Sequence, residues 1–403
     1  MRINFSIPLL LSLFAGASSQ LFGIQIPVNC QSGIQLQTFI DFALPGTTFV
    51  LSGTCSGPIV IARGNLTLEG RSGAAIDGQK KDAVTVNGAA NVILQGLDIR
   101  NGSNGILANN GAHLTLLNTS VHNNANMGIL LIGNSSAQIS GGSTKGNTVN
   151  GIDAEGSSSV VISGPYTAEA NGVFGMNING SSSLTLTQAD LLVDLNTLGI
   201  QIGTSASAFI ADSPTKITVT KNATTGLTIV SGAHMVAFGG TISTTKNGVH
   251  GVSIDSKAGL DLDAAAVLTS TGNRQDGVHL EETSVLTMFN TTAFSGAPGV
   301  TTLNTQGNGA NGVSVLTGSS VTVIHQAAIN STSNTGTGIF VDNGSSATLT
   351  QSTVTGNAVK DLSLTFGSRA DLTTLPNEAP NTIGVIGCDA GTLIRSVNVT
   401  CPR

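Results

Sequence analysis

Gly151-Ile-Asp-Ala-Glu-Gly-Ser-Ser-Ser-Val-Val-Ile162 holds most of one unit of this chain: a glycine, a short apolar–polar–apolar stretch, a turn and a second short strand. The same opening glycine recurs at Gly105, Gly128, Gly175, Gly199, Gly226, Gly251, Gly277, Gly312 and Gly338. Successive intervals are 23, 23, 24, 24, 27, 25, 26, 35 and 26 residues. Such a period marks stacked repeats, each too small to bury a core alone.

Alignment on the glycine exposes a period of two. The next residue is Ile106, Ile129, Ile152, Met176, Ile200, Leu227, Val252, Val278, Val313 or Ile339, and the residue two further on is also apolar throughout. Between these columns stand Leu107, Leu130, Asp153, Asn177, Gln201, Thr228, Ser253, His279, Ser314 and Phe340, mostly polar in the middle of the array. That alternation is a strand with one buried face. A second strand follows about eight residues after the glycine, as in Ser183-Leu-Thr-Leu and Ser320-Val-Thr-Val, with turn residues between.

A unit of this length leaves no room for a helix, and the leucine-rich repeat pattern is absent. Propeller blades need about 40 residues. The solution left is an all-β, single-stranded parallel β-helix, a solenoid of roughly 12 to 13 coils stacked about 4.8 Å apart. Gly57-Pro-Ile-Val-Ile, Asp82-Ala-Val-Thr-Val and Asp361-Leu-Ser-Leu supply its outer coils. The expected organisation is a signal peptide at 1–19, an amino-terminal cap at 20–56, the β-helix at 57–370 and an end segment at 371–403. Residues 35–44 are expected to form a capping helix ended by Pro45-Gly.

Of 403 residues, 9% are charged, and the net charge is −6. No basic face exists to neutralise a phosphate backbone, so nucleic acid is not an expected partner. The first twenty residues carry one positive charge, an apolar run from Ile7 to Phe14 and then small residues, the pattern of a secretory signal cleaved near Ala17 or Ser19. No stretch approaches the roughly 20 apolar residues of a membrane span. The expected location is therefore secreted, extracellular or periplasmic. Four cysteines fall in two pairs at opposite ends, Cys30 with Cys55 and Cys388 with Cys401. In a stacked rod the distant pairings exceed the reach of a disulfide, about 7 Å between Cα atoms, so the local bridges are expected to pin the two ends.

From about residue 57 to 370 the chain resembles the right-handed parallel β-helix repeats of the pectate lyase-like superfamily, particularly secreted members with Asn-Gly-Ile repeats. The resemblance implies a right-handed coil and association with long acidic or neutral polysaccharides lying along a stacked sheet. It implies no particular chemistry. The Asn-Thr-Asp, Asp-Asp, Gly-His-Gly and Arg-Ile-Lys elements of polygalacturonases are missing, as is the Asp-Pro-His motif of mannuronan epimerases.

Charge gathers in one region, Asn247-Gly-Val-His-Gly-Val-Ser-Ile-Asp255 and Arg274-Gln-Asp-Gly-Val-His-Leu-Glu-Glu282. Alternation turns Ser253, Asp255, His279 and Glu281 outward and makes Asp255 and Glu281 neighbours on adjacent coils. His250 and Asp276, each just before a repeat glycine, are expected to stack. Carboxylates beside a histidine are the material of general acid–base catalysis, so His279, Glu281 and Asp255 are the candidate catalytic residues. His250, Arg274, Asp276 and Ser253 are the candidate substrate-binding residues, with Arg274 gripping a uronate carboxylate. The 35-residue interval follows directly, and its surplus within 291–309 is expected to wall a groove beside this surface.

No cofactor is required, and no metal site is assigned. Asp153 and Glu155, with Asn177 and Asn179 one coil on, form a weak calcium set. His113 and His122 show no stacked acidic partner. Asn104, Asn150 and Asn311, before the repeat glycine, suit corners or inter-coil ladders. Asn118, Asn134, Asn222, Asn290 and Asn343 head Asn-x-Ser/Thr sequences that turn composition alone generates. The expected partner is a polysaccharide, bound and, if the chain is an enzyme, cleaved by lyase or hydrolase chemistry. The competing reading is a non-catalytic extracellular or adhesin-like rod, which fits the outward apolar Leu107, Leu130, Ile132 and Phe340. The irregular outward columns argue against ice binding.

Overall fold

The computed structural model describes residues 23–396 and 401, apart from 33–34, 72, 212–213, 292–298 and 377. The expected signal peptide lies outside the described residues. Among those described, no helix is long and apolar enough to cross a membrane.

Two sheets run the length of the solenoid, one of 14 short parallel strands and one of 26 strands that supplies the other two walls. In each coil the glycine-led strand, such as Ile152–Ala154, joins the narrow 14-stranded sheet. The chain then turns into a longer wall, bends, and returns through a corner to the next coil. In the middle coils both longer walls are one bent strand, as in Ser159–Glu169 and Ser183–Asp194. The apolar columns point inward, and residues such as Ile152, Ile178, Ile202 and Ile254 are fully buried in one continuous core.

About 15 turns are present, more than the 12 to 13 expected. The extra turns come from the ends. Gln25–Asn29 pairs in parallel with Thr48–Ser52, while Ile386–Cys388 and Leu393–Ser396 continue the two sheets beyond residue 370. These segments lack the glycine–apolar signature but present the same backbone edge, and a ladder needs only that. The cap helix is Leu36–Asp41, which buries Leu36 and Ile40.

Both disulfides form locally, Cys30 to Cys55 and Cys388 to Cys401. Replacing Cys30 and Cys55 together by serine should lower unfolding free energy by about 2–4 kcal/mol, measurable by denaturant titration.

An inner ladder explains the repeat glycine. Asn124, Asn147, Asn171, Asn196, Asn222, Asn247, Asn273, Asn308, Asn334 and Asn357 stack inside one corner. Asn124 Oδ1 accepts from the Gly102 amide, and from Asn147 onward each side-chain oxygen accepts from both the backbone and the side-chain N–H of the asparagine one coil before, as Asn247 does from Asn222 at 3.1 and 3.0 Å. The file ends on Asp361, which accepts from Asn357. The repeat glycines face these amides. A Cβ on Gly226 would lie 2.7 Å from both Asn247 Nδ2 and the Gly251 carbonyl oxygen. Close approach, and not a left-handed backbone, demands glycine here. Asn222 and Asn290 are buried and so closed to glycosylation in the folded chain, whereas Asn118, Asn134 and Asn343 are exposed.

Candidate functional site

The position before the repeat glycine has a structural duty of its own where it holds Asp, Asn or His: the side chain accepts a hydrogen bond from the backbone N–H of the equivalent residue one coil later. Asp82 does this for Asn104, Asn104 for Met127, Asn150 for Phe174 and Asn311 for Thr337. In the charged coils the same column reads His250, Asp276, Asn311. His250 Nδ1 accepts from the Asp276 amide at 3.3 Å, and Asp276 Oδ1 accepts from the Asn311 amide at 2.9 Å. Two of the candidate residues therefore hold the coil together with one atom each.

The atoms left over converge. Asp276 Oδ2 lies 2.9 Å from His279 Nδ1, and the other ring nitrogen of His279 is 3.4 Å from Glu281 Oε2. Period-two alternation delivers His279 and Glu281 to the outer face, and strand register sets Ser253 beside His279. The ring of His250 stacks on that of His279, with centroids 4.3 Å apart and planes at 24°. Side-chain exposure rises from 9% at Asp276 through 17% at His279 to 44% at Glu281, so the cluster opens at its glutamate.

The electrostatics divide the two histidines. Burial and the neighbouring His279 push His250 down to about 4, against the weaker pull of Asp276 and Glu281. Its Nδ1 is already an acceptor, so His250 is neutral and carries its proton on Nε2. Burial also disfavours charge on His279, but the hydrogen bonds and charges of Asp276 and Glu281 outweigh it and raise the ring above its ordinary value. Asp276 is held below the usual carboxylate range. Burial is its largest influence and acts upward, but the hydrogen bonds from His279 and Asn311 and the histidine charges overcome it. The result favours a proton on His279, between two carboxylates, beside a neutral His250.

His250, Asp276 and His279 also bring one ligand atom each within 4.8 Å of one another. His250 Nδ1 is engaged with the Asp276 amide, however, and His279 Nδ1 with the Asp276 carboxylate.

Other expected members stand apart. Asp255 accepts from Ser256, whose hydroxyl also reaches Glu282 at 2.9 Å, so the turn draws Asp255 away from His279. Arg274 is exposed on the approach to the Asp276 coil, without an ion pair among the described residues. The expected groove wall is displaced. Residues 292–298 lie outside the described residues, but Asn290 is tied to Gly299, Thr291 to Asp263, and the Thr301–Gln306 strand resumes directly after. Those anchors occupy the corner between the two longer walls, across the core from the narrow sheet. The length of an interval shows that residues are expelled and leaves the corner open.

Two histidines do find acids. His122 Nε2 lies 2.5 Å from Asp98 Oδ1 one coil before, beside Arg100, and His234 lies 3.2 Å from Asp261. His113 bonds Ser136 instead. The contact of Asn311 with Asp276 and the histidine stack were not anticipated. The recurring Asn at the position before the glycine was the available signal for the first.

Residues 64–213 match the family described as right handed beta helix region. No curated protein matches the chain. Among solved structures, a mannuronan C-5 epimerase A-module of Azotobacter vinelandii is similar at 14% identity and TM-score 0.38, covering 91% of this chain and 99% of the other. A periplasmic alginate epimerase is similar at 12% identity and TM-score 0.43, covering 92% and 82%. A pectate lyase is similar at 12% identity and TM-score 0.31, covering 91% and 80%. At these scores the likenesses carry no inference about chemistry. The parallel in-register ladders and the match over residues 64–213 make this chain a right-handed parallel β-helix protein.

Proposed function

We propose that the chain is a secreted protein that binds an acidic polysaccharide along the outer face of the narrow sheet and transfers a proton to it at His279. The observation that carries this reading is a half-buried histidine with one ring nitrogen on each of two carboxylates, on the outer face of the narrow sheet. His279, Glu281 and the second oxygen of Asp276 take no part in the hydrogen bonds that tie one coil to the next, so their convergence serves something besides the coil. His279 is the general acid for the departing glycosidic oxygen. Glu281, the more exposed carboxylate, accepts the matching proton, from water in hydrolysis or from the carbon beside a uronate carboxylate in elimination. Elimination breaks that carbon–hydrogen bond and the glycosidic carbon–oxygen bond on the adjacent carbon, and leaves a double bond between the two carbons. Arg274 at the rim is the grip for the uronate carboxylate. Two disulfides suit an oxidising compartment.

The test is a panel of uronate-containing and neutral polysaccharides, recording unsaturated product, reducing ends and binding together. Turnover is expected on a uronate polymer, and His279→Ala should lower it about 10²–10⁴-fold with thermal stability retained. Neither turnover nor binding on any member would leave the non-catalytic rod, a reading favoured by the outward apolar Leu107, Leu130 and Phe340.

A further inference from the structure

Asp153, Asn177, Gln201, Thr228, Ser253 and His279 are consecutive in register along the outer face of the narrow sheet. Gln201 lies three coils before His279, ~14 Å away at the inter-coil spacing. The polar network at this far end has a fixed direction. A carboxylate only accepts, so both amides that touch Asp153 must present their N–H₂ groups to it. Asn150 does so at 2.6 Å and Asn177 at 3.0 Å. Asn177 Oδ1 is thereby turned away from Asp153, and it accepts from Asn179 Nδ2 in its own coil at 3.3 Å and from Gln201 Nε2 in the next at 3.1 Å. Those two amides have spent a donor inward, and their oxygens remain. Gln201 Oε1 has no protein partner among the described residues. Asn179 Oδ1 is buried without a partner, and so is the hydroxyl of Thr228 beside Gln201 in register.

Gly203 packs against this stretch. Unlike the turn glycines it has no left-handed backbone to accommodate, yet a Cβ there would lie 2.9 Å from Asn179 Oδ1. Its neighbours in the column are Glu155 and Asn179 on one side and Val230 on the other, so the glycine lets the coil close over the Asn179 amide and fix its direction. Burial, with the nearby Glu155, pushes Asp153 up to about 6 against the donors Asn150 and Asn177. At neutral pH it is still mainly ionised and sets the amide directions.

We infer that Gln201 and Glu155, with the buried Asn179 amide oxygen beneath them, form a second subsite, directed by Asp153, that takes the hydroxyl groups of an uncharged sugar unit. Its surface offers acceptors and no cation. It therefore matches ligand O–H donors and repels a uronate carboxylate, the reverse of the preference at Arg274 and His279. The inference rests on the reading that this sheet face carries a glycan, and it makes that glycan a chain with neutral as well as acidic units. Asp153 is a positioning residue here, acting through Asn177.

Neutral hexasaccharides and uronate hexasaccharides, titrated calorimetrically against the whole protein, test it. The neutral oligomer should bind, and Gln201→Ala, at a partly exposed position, should weaken it about tenfold. Gln138→Ala, exposed on a strand of the other sheet, should leave that affinity unchanged. Asp153→Asn, which frees the amides to reverse, should narrow the preference for neutral over uronate oligomers, an effect that simple loosening of the coil would not produce. Absence of neutral binding, or equal affinity in native protein and Gln201→Ala, overturns the subsite even if His279-dependent turnover is found. Neutral binding lost in Gln201→Ala, with no turnover of any glycan, keeps the subsite and removes the catalytic reading.

Discussion

Asn247→Ala should lower the unfolding free energy by about 3–5 kcal/mol, because several buried groups lose their partners at once. Asn247 Oδ1 is the acceptor for the backbone N–H and the side-chain N–H of Asn222. Its own amide donates to the Val219 carbonyl at 3.3 Å and to Asn273 Oδ1 at 3.0 Å. Water cannot replace these bonds, since Asn222, Asn247 and Asn273 are each only 1% exposed. Alanine also leaves space against Gly226, whose missing side chain accommodates the Asn247 amide. Gln138→Ala, on an exposed strand position, should by contrast shift stability by less than about 0.5 kcal/mol. Denaturant titration followed by circular dichroism measures both. A loss below about 1 kcal/mol for Asn247→Ala would mean that neighbouring coils re-pair without the ladder.

That ladder marks where sequence reading stops. The period and the inward columns were legible because burial on one face of a strand imposes alternation, and the glycine supplied a frame for counting. The same frame contained the ladder, with asparagine four residues before most repeat glycines, as in Asn147 before Gly151 and Asn273 before Gly277. Asparagine at a corner suits a solvent-facing turn equally well. Only the direction of the corner backbone decides whether its amide stacks inside, and composition does not encode that direction.

The site divides the same way. Period-two alternation and inter-coil register correctly juxtapose His279 with Glu281, and the shared position before the glycine brings His250 to Asp276. Strand alternation ends where the turn begins, however. Asp255 and Glu281 occupy matching positions, yet Asp255 turns to Ser256 while Glu281 faces His279. The long interval after Gly277 was visible as a number, and the anchors at Asp263 and Asn290 put it at the opposite corner. At the ends, Gln25–Asn29 and Leu393–Ser396 join the ladders through backbone alone and leave no pattern of side chains to read.

Asp276→Asn should separate the two duties of that side chain. Its Oδ1 bond to the Asn311 amide survives, because Asn104, Asn150 and Asn311 make the same contact elsewhere in the column. The support for charge on His279 does not survive, since the carboxylate at 2.9 Å becomes a neutral amide. The His279 titration followed by NMR should therefore move down. Stability carries the sign. The raised value of His279 supplies stabilisation that is full below its unfolded value near 6.5 and is lost as pH rises through the folded value. The stability advantage of native protein over Asp276→Asn should thus be larger at pH 6 than at pH 9. The lowered value of His250 acts oppositely. Its contribution is present above 6.5 and is lost as pH falls toward 4, at up to about 1.4 kcal/mol per pH unit. Turnover, where it depends on His279 as acid, should fall about 10²–10⁴-fold at neutral pH while the coil stays folded. An unchanged His279 titration in Asp276→Asn would show that Glu281 alone holds the proton, and the catalytic pair would then be His279 and Glu281 without Asp276.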